Sequence, residues 1–329
     1  MNNTEHLTHA TADERLKRLS VVVPCFNEEA GLDSFFERLE HVLNGLKSYR
    51  HEIVCIDDGS DDKTLEVLCR HAATNPRIIV LELSRNFGKE AAMTAGIDSA
   101  QGDAVILMDA DLQHPPELIM EMVRQWENGF DMVMAQRDSR ETDNLVQGFL
   151  TRCFYRFHNW ISEYPIPRDV GDFRLMNRRV VDALKQLPER RRFMKGLFAW
   201  VGFRQCSIPF TVKARQEGKS SFNALRLWKL ALEGITSFST VPLTVWVYTG
   251  FIVALLALVY GCWIILKTLV FGIDVPGYAS LLTAVLFLGG IQLMGIGLLG
   301  EYIGRIYSES KQRPVYIIRQ RYGGKNPDD

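Results

Sequence analysis

Apolar positions in the first part of the chain fall into short runs separated by longer stretches of helical period. The runs Leu19–Pro24, Glu52–Asp57, Ile78–Leu83, Ala104–Asp109 and Met132–Gln136 predict strands, the most continuous of them buried on both faces. Between them, segments at roughly Glu29–Leu46, Asp62–Ala73, Lys89–Ala100 and Pro116–Asn128 predict helices with one apolar face. Strand alternating with helix implies an α/β fold: a mostly parallel, Rossmann-like sheet covered on both faces, with right-handed crossovers. Beyond residue 140 the pattern becomes irregular. Gly171-Asp172-Phe173-Arg174-Leu175 predicts a strand entry, and a helix follows from about Arg178 to Gln186.

The pattern changes again near residue 240. No charge occurs from Val241 to Leu266 or from Tyr278 to Gly300. At ~1.5 Å per helical residue each stretch spans a hydrocarbon core of about 30 Å. They predict two transmembrane helices joined by a turn from Lys267 to Gly277. Two amphipathic segments precede them and suit the headgroup plane. Around Arg190–Phe203, Phe193, Leu197, Trp200 and Val201 form a stripe beside Arg190, Arg191, Arg192 and Lys195. Around Phe222–Phe238, Leu225, Trp228, Leu232, Ile235 and Phe238 lie opposite Arg226 and Lys229.

The expected plan is a mobile tail (1–18), a catalytic domain with an interfacial helix (19–218, 190–203), a juxtamembrane helix (219–240), a membrane hairpin (241–304) and a second tail (305–329). Arg226 and Lys229 precede the hairpin, and Arg305, Lys311, Arg313, Arg319 and Arg321 follow it. The connecting turn has Lys267 offset by Asp274. The positive-inside rule therefore places both termini and the catalytic domain in the cytoplasm, at the inner (plasma) membrane.

Composition adds exclusions. With 38 lysines and arginines against 39 acids, the net charge of −1 gives no pull toward nucleic acid. The six cysteines show neither a Cys-x-x-Cys pair nor zinc spacing and read as mostly buried thiols in a reducing compartment. The polar first nineteen residues carry no secretory signal.

The candidate chemistry sits where strands end. Asp109-Ala110-Asp111 places two carboxylates at the carboxyl edge of the fourth strand, where ligands of open α/β sheets gather. Such a pair can share a hard divalent cation, Mg²⁺ or Mn²⁺, with Gln113 as a third oxygen and phosphates completing the shell. His114 is read as an orienting or capping residue. Three more loops should meet there. In Pro24-Cys25-Phe26-Asn27-Glu28-Glu29, Asn27 can cap the next helix and Glu28 can accept from a sugar or base. Asp57-Asp58-Gly59-Ser60 offers acids for ribose hydroxyls or base N–H groups. In Ser84-Arg85-Asn86-Phe87-Gly88-Lys89, two cations flank a glycine that permits close backbone approach. Near the membrane, Gly218-Lys219-Ser220-Ser221 suggests a loop able to close, Glu301 and Arg305 an interfacial ion pair, and Gly300 and Gly304 a helix-packing pattern.

The segments VVVPCFNEE, IDDGS, LSRNFGKE and DADLQHPPE resemble family 2 glycosyltransferases of the GT-A fold. The resemblance continues through MAQRDSR, GDFRLMNRRV, RRFMKGLFAWVGF and LLGEYIGRIY, from about Leu19 to Tyr316. It is strongest to polyisoprenyl-phosphate glycosyltransferases, which include dolichol-phosphate mannose synthases, and the two C-terminal spans are similar to the bacterial bactoprenol branch. One departure is Phe26, where a tyrosine is common.

The resemblance implies metal-dependent, inverting transfer of a sugar from a UDP-sugar, glucose foremost, to undecaprenyl phosphate. N-acetylglucosamine, galactose and aminoarabinose are the alternative sugars. It assigns the donor to Pro24, Phe26, Asn27, Glu28, Asp57, Asp58, Arg85, Gly88, Lys89, Asp109 and Ala110, and the metal to Asp109, Asp111 and Gln113. Catalysis falls to Asp111, Asp172 and Arg137, and the acceptor phosphate to Arg137, Arg215 and Lys219. A phosphate monoester, with a second pKa of about 6, is already ionised at neutral pH, so orienting cations matter more than a base. Asp172 is accordingly expected to order Arg174 or the acceptor site. A homo-oligomer, a tetramer in particular, would fit the resemblance. A processive polysaccharide synthase would carry a Gln-x-x-Arg-Trp motif and more spans, which this sequence lacks. A non-enzymatic translocase or scaffold is disfavoured, because two helices make a poor pathway and Asp-x-Asp is intact.

Overall fold

The computed structural model describes residues 16–137, 170–190, 192–210, 241–271 and 277–324. Strand β1 (Arg18–Cys25) runs through the middle of the sheet, with Leu19, Val21, Val22 and Val23 fully buried. The chain continues through α1 (Leu32–Gly45), β2 (Arg50–Asp57), α2 (Thr64–Thr74), β3 (Ile78–Leu83) and α3 (Lys89–Ser99). It then forms β4 (Ala104–Leu107), α4 (Leu118–Glu127), β5 (Met132–Arg137), β6 (Val170–Asn177) and α5 (Arg178–Gln186). The last elements are α6 (Met194–Trp200), β7 (Gln205–Phe210), α7 (Val241–Phe271), α8 (Tyr278–Ser310) and β8 (Ile318–Tyr322).

The eight strands form one mixed sheet in the order β7-β5-β6-β4-β1-β2-β3-β8. β6 is antiparallel to β4 and β5, β8 is antiparallel to β3, and the other neighbours are parallel. Because β1 lies between β2 and β4, the winding direction reverses there, and a crevice opens outside the carboxyl ends of β1 and β4. Alternate strand residues feed two cores. Leu19, Val21 and Val23 pack with Phe35, Phe36 and Leu39 of α1, while Val22, Val54 and Ile56 pack with Ala92, Met93 and Ile97 of α3. The latter helix is buried on most sides, and Gly96 allows it in: a methyl there would overlap Val22 and Ile56.

Two strands are additions to the expected set. β7 alternates exposed and half-buried positions beside β5, and β8 brings part of the expected C-terminal tail back onto the sheet. Buried Glu82 of β3 accepts from Arg319 Nη1 (3.1 Å) and Tyr322 Oη (2.7 Å). Tyr316 donates to Asp98 (2.9 Å), and Glu309 accepts from the Arg190 amide (2.9 Å). The segment expected as an interfacial helix shortens to α6, whose Met194, Leu197 and Phe198 are buried while Trp200 stays 47% exposed.

Both α7 and α8 are long and apolar enough to cross a membrane, with windows at Val245–Ile264 (mean hydropathy 2.0) and Phe287–Ser310 (1.3). They run beyond the expected spans by continuing as helix to Phe271 and Ser310. None of the first window and 6% of the second is buried, so neither is a core helix. They touch where a methyl on Gly295 would overlap the Trp246 indole. Glu301 and Arg305 pair at 3.1 Å. The expected helix 219–240, the loop 218–221, and Arg215 and Lys219 lie outside the described residues.

Candidate active site

The crevice at the winding reversal is a cleft of about 270 Å³. Of the expected residues it gathers Pro24, Phe26, Glu28, Asp58, Gly88, Lys89, Asp109, Ala110 and Asp111, and it adds Cys25, Asn86 and Ala92. Among the described residues, four carboxylates line it against one cation, Lys89. Burial and the nearby Asp111 and Asp109 push the Glu28 carboxyl above its ordinary range.

Each loop is tied to its neighbour. Asn27 takes a left-handed conformation (φ 55°), its amide donates to Ser60 Oγ (3.1 Å), and its Oδ1 accepts from the Asp61 amide (2.9 Å). It therefore does not cap α1. Gly31 holds that position, and α1 begins three residues later than its periodicity suggested, at Leu32. Asp58 accepts from the Phe87 (2.8 Å) and Gly88 (2.9 Å) amides, so this acid organises the next loop as well as facing the cleft. Asp57 is buried and accepts from the Ser60 amide (3.3 Å), while its Oδ1 meets no donor. Arg85 folds over the Phe87 ring (4.0 Å) and donates to the Asn86 carbonyl (2.7 Å), outside the cleft lining.

β4 stops at Leu107, although the Met108 amide still bonds Val22 (3.1 Å). The chain then lifts Asp109 and Asp111 over the sheet edge. Leu112 turns back with φ 55°, and the Gln113 amide donates to Asp111 Oδ1 (3.0 Å). Backbone of this kind in a non-glycine residue costs on the order of 1–3 kcal/mol and persists where surrounding structure holds it. The turn leaves Gln113 exposed and brings His114 inward, so that Asp109, Asp111 and His114 offer atoms all within 4.8 Å of one another. His114 sits between Phe173 and Phe210 (5.5 and 5.3 Å), and its buried Nδ1 has no partner. Burial holds it below the ordinary histidine pKa. Two carboxylates and an unprotonated imidazole are a donor set that fits a divalent cation.

Lys89, at the start of α3, joins this edge to β6. Its Nζ lies 2.7 Å from Asp109 Oδ1 and 2.8 Å from Asp172 Oδ2. Burial alone would raise the Asp172 carboxyl, but Lys89 holds it below its ordinary value. Asp172 meets Arg174 through its carbonyl oxygen (3.3 Å), not through its carboxylate. Arg174 is buried, donates to the Gly171 carbonyl (2.7 Å), stacks over Phe198 at 3.7 Å, and is pulled down to about 10 by desolvation. Arg137 ends β5 opposite Phe210 of β7, and its buried Nε has no hydrogen-bond partner.

Glu90 is a residue the motif reading passed over. Its Oε2 accepts from the Met194 amide (2.9 Å), which ties α3 to α6. Burial, reinforced by nearby Asp172, raises its carboxyl from 4.5 to about 7. The folded protein thus keeps a proton that the unfolded chain releases, and stability falls as pH rises from 4.5 through about 7. Glu90→Gln should flatten that part of the stability profile and raise the thermal midpoint at about pH 8 relative to wild type. Parallel profiles for the two proteins would contradict the assignment.

The chain is thus an α/β protein whose mixed, mostly parallel sheet carries an acid-lined cleft at its winding reversal. The family described as glycosyl transferase family 2 matches residues 20–185, and the GtrB C-terminal hairpin matches residues 241–306. The chain belongs to glycosyl transferase family 2, in the branch that carries this hairpin, and has the GT-A fold. It is 53% identical to an uncharacterized glycosyltransferase of Synechocystis sp. over 93% of this chain and 96% of that one. It is 50% identical to the prophage-derived bactoprenol glucosyl transferase of Shigella flexneri (94% and 100% covered). Identity to a prophage bactoprenol glucosyl transferase homolog of Escherichia coli is 49% (92% and 99% covered).

Proposed function

We propose that this glycosyltransferase moves a hexose, glucose foremost, from its UDP-sugar to undecaprenyl phosphate, with inversion at the anomeric carbon. The observation that carries the donor half is the cleft lining of Glu28, Asp58, Asp109 and Asp111 against, among the described residues, Lys89 alone. A diphosphate entering four carboxylates needs added positive charge. A divalent cation, Mg²⁺ or Mn²⁺, held by Asp109 and Asp111 with Gln113 or His114, would neutralise charge on the departing diphosphate. The exposed Phe26 ring offers a stacking face for the base, and Glu28 and Asp58 accept from ribose or base groups.

Two exposed apolar helices and relatives named as bactoprenol glucosyl transferases support the acceptor half. The nucleophile is an oxygen of a phosphate already ionised at neutral pH, so the new C–O bond forms as the bond to UDP breaks, with no proton to remove. Arg137, with its unpartnered Nε, is suited to hold that phosphate, joined by Arg215 and Lys219. Asp172 then orders the site rather than acting as a base. The hairpin anchors the enzyme with its catalytic domain and termini on the cytoplasmic side, as a homo-oligomer for which a tetramer is the favoured state.

The test is a transfer assay on detergent-purified protein with undecaprenyl phosphate, Mg²⁺ or Mn²⁺ and a panel of labelled UDP-sugars. One donor should give a monoglycosylated lipid phosphate of the expected mass. A folded, metal-binding protein that makes no product from any donor would refute this reading.

A further inference from the structure

Lys89, the one cation among the described residues that lines the cleft, is already engaged. Lys89 Nζ contacts Asp109 and Asp172 at hydrogen-bond distance from both, which places a positive charge against an oxygen set that a metal would also use. An ammonium on Asp109 Oδ1 and a dication on the same carboxylate would repel each other. That repulsion is stronger in a half-buried cleft than in water. A metal on Asp109 is therefore favoured when Lys89 moves away from it. The lysine can do so, because its side chain is 46% exposed and swings on a flexible four-carbon stem from the first residue of α3.

We propose that Lys89 is an internal counter-cation: it holds Asp109 and Asp172 when no metal is bound and yields both when a nucleoside diphosphate arrives to take its charge. The proposal rests on the metal and donor reading above. It makes metal and donor bind cooperatively, since each relieves a cost that the other would meet alone. It also links the two halves of the reaction, because the carboxylate released on the β6 side, Asp172, is freed only once the donor is loaded. Lys89 is a positioning residue before metal and donor bind and a diphosphate ligand afterwards.

The experiment measures Mn²⁺ binding to the full-length purified protein by electron paramagnetic resonance of free Mn²⁺, with and without UDP. Wild type should bind Mn²⁺ weakly alone and more tightly with UDP. Lys89→Met should bind Mn²⁺ about ten-fold more tightly than wild type without UDP, with a smaller gain on adding UDP. Lys89→Arg, which keeps the charge, should behave as wild type. Should the methionine variant fail to fold, Lys89→Gln gives the same readout. Unchanged Mn²⁺ affinity in the charge-removing variant would overturn the proposal. Absence of Mn²⁺ binding by wild type and variants even with UDP would instead overturn the metal reading on which it rests.

Discussion

Asp111→Asn should give a folded protein whose transfer rate is down at least about a hundred-fold, the scale of losing one electrostatic contact to developing charge. Asp111 is exposed, and its Oδ1 accepts from the Gln113 amide at 3.0 Å. An asparagine oxygen can accept the same bond, so the left-handed turn at Leu112 survives and the thermal midpoint should hardly move. What changes is charge at a site whose purpose is charge. Circular dichroism and a thermal melt establish the fold, and product formation under saturating Mg²⁺ or Mn²⁺ reads the chemistry. Near-wild-type turnover would refute the proposed role of Asp111 in holding a metal.

Gly59→Ala should act in the opposite way, through the fold first. A methyl at this position would lie 2.6 Å from the Arg85 carbonyl carbon and 2.6 Å from the Asn86 nitrogen, both backbone atoms that cannot swing aside. The glycine also has φ +68°, where alanine is strained. Together these should cost about 3 kcal/mol, within the range for backbone strain and overpacking. For a domain of this size that corresponds to a fall of about 6–12 °C in thermal midpoint. Asp58, the preceding residue, holds the Phe87 and Gly88 amides, so the displaced loop would carry part of the donor cleft with it and weaken UDP binding. An unchanged midpoint would show that the two loops can separate freely.

The central strands were legible because burial on both faces leaves continuous apolar runs, as in Val21-Val22-Val23. β7 and β8 were not, for a physical reason. Edge strands keep charged and polar residues, and Ile318–Tyr322 reads Ile-Arg-Gln-Arg-Tyr with four of its five residues exposed. That composition also describes a solvated tail. In the cleft, the motif order located the four loops but not what each side chain would do inside them. Asn27 had the composition of a helix cap, yet its side chain met Asp61 across the neighbouring loop. The Leu112 turn, which exposes Gln113 and draws His114 inward, depends on a left-handed residue that leucine does not advertise. Lys89 and Asp172 come from elements far apart in the chain, and no local spacing could have paired them. Glu90 looked like an ordinary first-turn acid until α6 covered it.

The end of α8 and the chain beyond it are moored to the catalytic domain at three places: Glu309 accepts from the Arg190 amide, Tyr316 donates to Asp98, and β8 lies along β3. A plate hung from a single cord swivels, whereas one pinned at several points can only rock. Any pull on α8 is thus passed through β8 to β3 and on toward the strands that carry the cleft.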